Sequence, residues 1–371
     1  MTAEAVDRAR MTVTFRADGS GVIGFGHLAR CRNLAAALSE VGYDCRFVRS
    51  GPRDGLLEGL DVVWIEGDGD EVGGRLDAEL TLRTTAGEAE GPSVVVADHY
   101  RIGHEWESVL RRAGAFVVAI DDLADRPHDC HAVIDTNPLP SDRYRGLVPP
   151  DTLLLLGLEH ALLAPEFTGP TSEERDPVRS VERVVVCFGG GRNPEPLRMM
   201  LEACTDPRLA HLSFDVVAAE ETLAEDLRAS WAEVERRAGP VADVRIRGWV
   251  DDLRGLLRAS DISVGSGGSL AIERIRLGIP SVVITLADNQ VPTSRELHRR
   301  GLLQHLGDLS DCTPKMIADG VLGLASDERS RAFVGREGPT VVDGRGAARC
   351  ALAIRRAHHE LLSEDRDSAS R

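Results

Sequence analysis

Short runs rich in β-branched and aliphatic residues alternate along this chain with longer stretches whose apolar positions recur at helical spacing. VTFRA around Thr14, CRFVRS around Phe47, DVVWIE around Val63, SVVVAD around Val95, FVVAID around Val118 and TLLLL around Leu154 read as strands. Leu28 to Val41 and Trp106 to Ala113 read as helices with one apolar face. Strand and helix in alternation predict a parallel sheet, because parallel neighbours need a long crossover connection. The stretch PEFTGPTSEERDPVR, Pro165 to Arg179, breaks the rhythm with proline, acidic and small polar residues, as a linker does. A second series then begins, with strands at RVVVCFG around Val185, SFDVVAA around Val216, DVRIRG around Arg245, DISVGSG around Ser263 and PSVVITL around Val283.

The pattern therefore predicts an α/β protein of two doubly wound, Rossmann-like domains, and 371 residues is more than one core usually organises. Their expected bounds are 11–165 and 181–345, with a linker over 166–180, a C-terminal helix over 346–364 and a frayed polar tail over 365–371. The cleft between two such domains is the default place for a ligand.

Composition narrows the function. Hydrophobic residues make up 42% and charged residues 28%, the balance of a globular protein. Lys and Arg number 44 against 60 Asp and Glu, a formal charge of −16, and no basic stripe of the kind that displaces counterions from nucleic acid is present. The seven cysteines are scattered without a Cys-x-x-Cys pair, which predicts reduced thiols filling cores in a cytoplasmic protein. The opening MTAEAVDRAR lacks the apolar core of a signal peptide, and no run of about eighteen apolar residues offers a membrane span. The acidic patch from Glu66 to Glu79 is expected to be a solvated loop, having neither histidines nor calcium-loop spacing.

Three stretches carry candidate chemistry. In RADGSGVIGFGHLARC, a strand, a glycine-rich turn and a helix follow in order, and Gly24 and Gly26 lack the β-carbons that would hold a ligand off the backbone. The turn is not a full dinucleotide fingerprint, since no acidic residue is clearly placed about twenty positions on. His27 stands at the expected helix start, where the positive end of the dipole favours a neutral, proton-accepting imidazole; a capping or packing histidine fits the same position. Arg30, one turn later, either orients an anionic group or makes an exposed salt bridge. In DISVGSGGSLAIERIRLGIPSVVI, small residues at a helix start form a cradle for a diphosphate, without the Gly-Lys-Ser/Thr ending of a P-loop. Glu273 there suits ribose hydroxyls or a solvated helix face equally. In LADNQVPTSRELHRRG, Asp288, Asn289 and Gln290 end a strand and are either ligand contacts or a helix cap. Two further patches lie at strand ends, ADHYRIGHEWE with Asp98, His99 and Tyr100, and IDDLADRPHDCHAVIDTNP with Asp121, Asp122, His128, His131, Asp135 and Asn137. His128, Cys130 and His131 do not have the spacing of a structural zinc loop, so no metal is expected.

Together with VVVCFGGGRNPEPL and VVDGRGAARCALAI, these blocks occur in the order found in the UDP-sugar hydrolases of pseudaminic acid biosynthesis and in related spore-coat polysaccharide proteins. The chain resembles that family from about Thr12 to about Ile354. The resemblance implies a GT-B-like fold in which two domains face a central cleft and water replaces the acceptor of a glycosyltransferase. It implies that His27 deprotonates the water, with Gly24, Gly26, Arg30, Asp98, His99 and Tyr100 on the sugar side. UDP is then held by Gly189, Gly190, Ser266, Gly267, Gly268, Ser269, Glu273, Asn289 and Gln290, with neither a cofactor nor a metal required. The chain departs from the family's usual first block at Phe25 and Ala29, where threonine and methionine are commoner, and at CFGGGRNP, where an SFGG run precedes an acidic residue and proline. A bulky Phe25 bears on which sugar fits. A transferase that moves the sugar to an acceptor is the alternative, since it would use the same nucleotide site.

Overall fold

The structure is a computed structural model, and the residues it describes are 11–19, 25–50, 57–65, 72–85, 93–169, 180–191, 193–237 and 241–369, with side chains to 364. The chain divides into two compact units, one of Met1–Ser20, His27–Pro165 and Arg345–Arg371, the other of Gly21–Gly26 and Glu166–Gly344.

The first unit is built on β1 (Met11–Ala17), α1 (Gly26–Glu40), β2 (Tyr43–Arg49), β3 (Asp61–Trp64), α2 (Arg75–Thr85), β4 (Val94–Asp98), α3 (His104–Arg112), β5 (Phe116–Ile120), β6 (Ala132–Asp135) and β7 (Leu153–Leu156). Its described strands form one parallel sheet in the order β3-β2-β1-β4-β5-β6-β7. The central β4 and β5 are buried along their whole length, which is why they read as unbroken aliphatic runs and not as alternating ones. Helix α1 buries Leu28, Cys31, Leu34, Ala35 and Leu38, and Gly42 beyond its end takes the left-handed conformation (φ 97°) that turns the chain into β2.

The second unit comprises β8 (Arg183–Cys187), α4 (Glu195–Ala203), β9 (Ser213–Val217), α5 (Glu221–Arg237), β10 (Asp243–Arg247), α6 (Leu253–Arg258), β11 (Ile262–Ser266), α7 (Ser269–Arg276), β12 (Ser281–Thr285), α8 (Val291–Arg299), β13 (Gln304–Asp308), α9 (Pro314–Ser326) and α10 (Glu328–Val341). The sheet order is β10-β9-β8-β11-β12-β13, again parallel throughout. Val184, Val186, Val216, Val264, Val282 and Ile284 line its core together with Leu197, Met200 and Val321 from flanking helices. The last helix, α11 (Gly346–Ala369), belongs to the first unit. It is held there by Tyr43 Oη against His358 Nδ1 at 2.9 Å and by Arg349 Nη1 donating to the Glu159 carbonyl at 2.9 Å.

Three details differ from the sequence reading. Strands β6 and β13 escaped it: β6 has four residues inside a polar stretch, and β13 is a polar edge strand, QHLGD. The described part of the acidic patch is not a solvated loop, because Arg75–Thr85 is helical and Asp77, 4% exposed, accepts from Arg16 Nε at 2.9 Å and Trp106 Nε1 at 2.8 Å. Helix α11 runs on to Ala369 where a tail was expected, since extending a docked helix costs little once its earlier turns are fixed. Residues 170–179 of the expected linker lie outside the described residues, and Phe167 and Gly169 before them give their carbonyls to Arg276 at 2.8 and 2.7 Å.

Candidate active site

In an open parallel sheet, ligands gather beyond the carboxyl ends of the strands where the strand order reverses. In the first unit that point lies between β1 and β4. His27 is the second residue of α1, which follows β1, and Asp98 is the last residue of β4. The topology thus brings together two residues far apart in sequence: His27 Nδ1 lies 2.5 Å from Asp98 Oδ1. Asp98 is fully buried and His27 only 5% exposed. A carboxylate only accepts, so Nδ1 carries the hydrogen, and Nε2 is the ring atom left to exchange a proton.

Arg30 completes the arrangement. Its Nε donates to Asp98 Oδ2 at 2.6 Å and its Nη2 to Asp98 Oδ1 at 2.7 Å, a side-on bidentate pair, while Nη1 donates to Asp122 Oδ2 at 2.9 Å. Burial alone would raise the Asp98 carboxyl, but Arg30 and then His27 outweigh it and hold the group well below the usual carboxylate range. Burial likewise pulls the Arg30 guanidinium down, and Asp98 and Asp122 reverse this and raise it. Tyr100, 36% exposed, sets its ring edge against the imidazole with centroids 4.6 Å apart.

These contacts engage two of the residues expected on the sugar side. Both Asp98 oxygens accept from His27 and Arg30, and Arg30 reaches Asp122 as well as Asp98. Asp122, at the end of β5, is the partner the sequence reading left without a role. His99 is half-buried, its Nδ1 accepts from the Arg101 N–H at 3.1 Å, and burial pulls it down to about 4. Gly26 is exposed with open space where a β-carbon would point, and Gly24 lies outside the described residues.

Behind this cluster, Glu107 Oε1 meets His128 Nδ1 at 2.7 Å, and His128 Nε2 is 3.7 Å from Asp121 Oδ2. Burial opposes the charge on His128, but Asp121 and Glu107 raise it to about 9. The Tyr144 hydroxyl donates toward Asp121 Oδ2 at 3.0 Å and Asp135 Oδ2 at 3.2 Å, alternatives for its one hydrogen, and burial pushes Asp135 up to about 6. His131 sits apart, stacked on Phe116. Among the described residues no three His, Cys, Asp or Glu side chains are grouped to hold a metal ion.

In the second unit the order reverses between β8 and β11. Cys187 ends β8 and runs into Phe188, Gly189 and Gly190; Gly189 has φ 95°, a left-handed conformation suited to glycine. Ser266 ends β11 and runs into Gly267 and Gly268, after which α7 begins at Ser269 without a side-chain cap. Its first N–H groups have no intrahelical partners. A β-carbon on Gly267 would lie 2.2 Å from Ser294 Oγ and 3.4 Å from Gln290 Cβ, so only glycine lets the loop pass the start of α8. Gln290 Oε1 accepts from the Leu286 N–H at 3.0 Å, upstream of α8, which has no side-chain cap, while its Nε2 lies 3.6 Å from a β-carbon placed on Gly268. Glu273, in the second turn of α7, is half-buried; burial pushes its carboxyl up to about 7, with Arg274 opposing and Glu166 adding. Asp288 and Asn289 occupy the short turn before α8. Trp249, beyond the end of β10, is 66% exposed and went unnoticed in the sequence, although so exposed a tryptophan at this edge is unusual. A cavity of about 550 Å³ opens beyond β12 and β13, lined by Glu195, Met199, Thr285, Asp288, Asp308 and Leu309 among others.

No protein-family model matches the chain. It is 29% identical over 182 residues to the UDP-2,4-diacetamido-2,4,6-trideoxy-beta-L-altropyranose hydrolase of Campylobacter jejuni subsp. jejuni serotype O:2, a match covering 48% of this chain and 61% of that protein. It is 21% identical over 223 residues to the spore coat polysaccharide biosynthesis protein SpsG of Bacillus subtilis, covering 59% and 63%. The matches thus span about three-fifths of each relative's length. Among solved structures, MurG of Acinetobacter baumannii superposes with a TM-score of 0.66 at 13% identity over 93% of this chain and 99% of that one. The spinosyn forosaminyltransferase SpnP does so with 0.62 at 15% over 94% and 99%. The fold is that of the GT-B glycosyltransferases, and the relatives match the family that the sequence blocks resemble.

Proposed function

We propose that this protein hydrolyses a nucleotide sugar, cleaving a UDP-linked amino-deoxy sugar to UDP and the free sugar. The observation that carries the reading is the buried His27–Asp98 pair at the switch point of the first sheet, with Arg30 locking the carboxylate. The similarity to a UDP-sugar hydrolase supplies the substrate class.

In the proposed reaction His27 Nε2 takes a proton from water as the water oxygen bonds to the anomeric carbon. The bond from that carbon to the diphosphate oxygen breaks, and UDP leaves with the electron pair. Asp98 holds the imidazole in the accepting tautomer and stabilises the imidazolium that forms; general-base assistance of this kind contributes about a hundredfold to ten-thousandfold. Charge growing on the diphosphate is met by the N–H groups at Gly267 to Ser269 and by the Gly189–Gly190 turn. Glu273 accepts the ribose hydroxyls, and Asn289 and Gln290 add amide donors.

The transferase alternative draws support from the fold, which a forosaminyltransferase shares. One experiment separates the two. Purified protein is incubated with UDP- and CDP-linked amino sugars without acceptor, and nucleoside diphosphate and free sugar are followed by chromatography and mass spectrometry. Equimolar release of both, lost in His27→Gln, is the expected result. Release that waits for an added acceptor overturns the hydrolase reading, and undiminished release by His27→Gln overturns the mechanism.

A further inference from the structure

The second unit carries a cation beneath its two glycine loops. Arg274 lies in the second turn of α7, and its side chain runs back toward the helix start, the direction helical side chains take. The residue is 1% exposed. Its Nη2 donates to the Ser266 carbonyl at 2.5 Å and its Nη1 to the Cys187 carbonyl at 3.4 Å. Those residues end β11 and β8, the two strands between which the order reverses. Space for the guanidinium exists because residue 265 is glycine: a β-carbon there would stand 2.2 Å from both Arg274 Nη1 and the Cys187 oxygen.

The surroundings leave this charge poorly compensated. Arg274 Nε has no hydrogen-bond partner, and among the described residues the guanidinium donates to carbonyls and to no carboxylate. Glu273 couples to it through space but makes no hydrogen bond to it, so burial leaves the cation only partly compensated, and an anion bound close by offsets that cost. The loop leaving β11 runs into the uncapped start of α7, whose first N–H groups are of the kind that receives phosphate.

Resting on the nucleotide-binding reading above, we propose that Arg274 is an internal counter-cation for the diphosphate. It is a positioning residue that ties the ends of β8 and β11 together and raises the positive potential at both loops without touching the ligand. The test is calorimetric binding of UDP and of uridine to the full chain. Arg274→Met keeps the length and removes the charge; it should weaken UDP by about tenfold or more and uridine by less than about threefold. Arg274→Lys should recover part of the UDP affinity. A purely structural arginine would weaken both ligands by the same factor, and that result, or no change in either, overturns the proposal. Wild-type protein that fails to bind UDP overturns the nucleotide reading and this inference with it, whereas a wild type that binds and an Arg274→Met variant that keeps its preference for UDP overturns this inference alone. If the Met variant does not fold, the buried Arg274 Nε–H resonance of the wild type, assigned with Arg274→Lys, gives the answer: it should shift on adding UDP and not uridine, and an equal response to both refutes the charge role.

Discussion

Replacing Asp98 by asparagine tests the proposed base more sharply than removing the histidine does, because it changes charge and hydrogen count while keeping the shape. The Asp98 oxygens face donors on both sides: His27 and Arg30 Nη2 at Oδ1, Arg30 Nε at Oδ2. An amide has one accepting end. With its NH₂ at the Oδ1 position it confronts Arg30 Nη2 and donates to His27 Nδ1, which moves the imidazole hydrogen to Nε2 and removes the lone pair the reaction needs. With its NH₂ at the Oδ2 position it confronts Arg30 Nε and loosens the pair that orients the ring. Either way the kcat falls, and we expect a drop of about a hundredfold to ten-thousandfold, the range for losing a positioned base. Breaking a buried pair by altering one partner costs about 3–5 kcal/mol in general. Arg30 keeps Asp122 and its side chain is 17% exposed, so a loss of about 2–3 kcal/mol is expected here.

The assays are steady-state turnover of whichever nucleotide sugar the screen identifies, thermal melting, and calorimetric UDP affinity. UDP affinity should stay within about threefold, since Asp98 lies in the unit that the reading assigns to the sugar. His27→Gln combined with Asp98→Asn should be little slower than the slower single variant, because the two act as one device. A folded Asp98→Asn protein that binds UDP and retains kcat within tenfold of wild type refutes the reasoning.

Hydrolysis in ¹⁸O-labelled water should put the label on the anomeric hydroxyl of the sugar and none on UDP; label on UDP would mean attack at phosphorus. Glu273 has a folded carboxyl raised to about 7 by burial from an ordinary 4.5, so its penalty is absent below pH 4.5 and complete above pH 7. Glu273→Gln should therefore gain about 1–3 kcal/mol more at pH 8 than at pH 4.5 in denaturant melts, and a pH-independent difference refutes the assignment. His128 has the opposite sign: raised to about 9 by Asp121 and Glu107 against burial, it stabilises fully below its unfolded value of 6.5 and loses that contribution as pH climbs through 9. The stability gap between wild type and His128→Gln should shrink by about 2–3 kcal/mol between pH 6 and pH 9.5, and a constant gap would sink it. Trp249→Ala should weaken uridine and UDP by the same factor if the exposed indole stacks on the base, by about 1–3 kcal/mol, whereas loss of UDP alone contradicts that use.

Two sheets and the glycine turns between strand and helix were legible in the chain, because parallel strands buried on both faces leave continuous aliphatic runs such as VVVAD and SVVIT. Short or polar strands leave no such trace, as β6 and β13 show. His27 stood out by its place at a helix start. The pairing of its partners did not, for a reason that lies in the physics of polar groups. Asp98 and Arg30 look like any exposed acid and base in a sequence, and only topology reveals that β1 and β4 are neighbours and that the two side chains pair in a largely buried site.

Arg274 carries the same lesson further. In sequence, Arg274 and Arg276 are two basic residues of a short helix, and nothing in ERIRLG marks either as buried. Folded, they are 1% and 5% exposed, and both give their N–H groups to backbone carbonyls: Arg276 to Phe167 and Gly169, Arg274 to Cys187 and Ser266. The two differ in what lies beyond those carbonyls. Arg276 fastens the opening segment of its own unit through the Phe167 and Gly169 carbonyls, a structural task. Arg274 reaches the one place in its sheet where two glycine loops diverge, and it retains an unpaired Nε there. A helix only eight residues long thus supplies both an anchor for its own unit and a buried charge at the switch point, and Gly265 is what admits the second. Gly265→Ala should therefore act as a remote probe of Arg274: the added methyl meets both the guanidinium and the Cys187 carbonyl, so stability should fall, and UDP binding should fall more than uridine binding, as expected for loss of the charge itself.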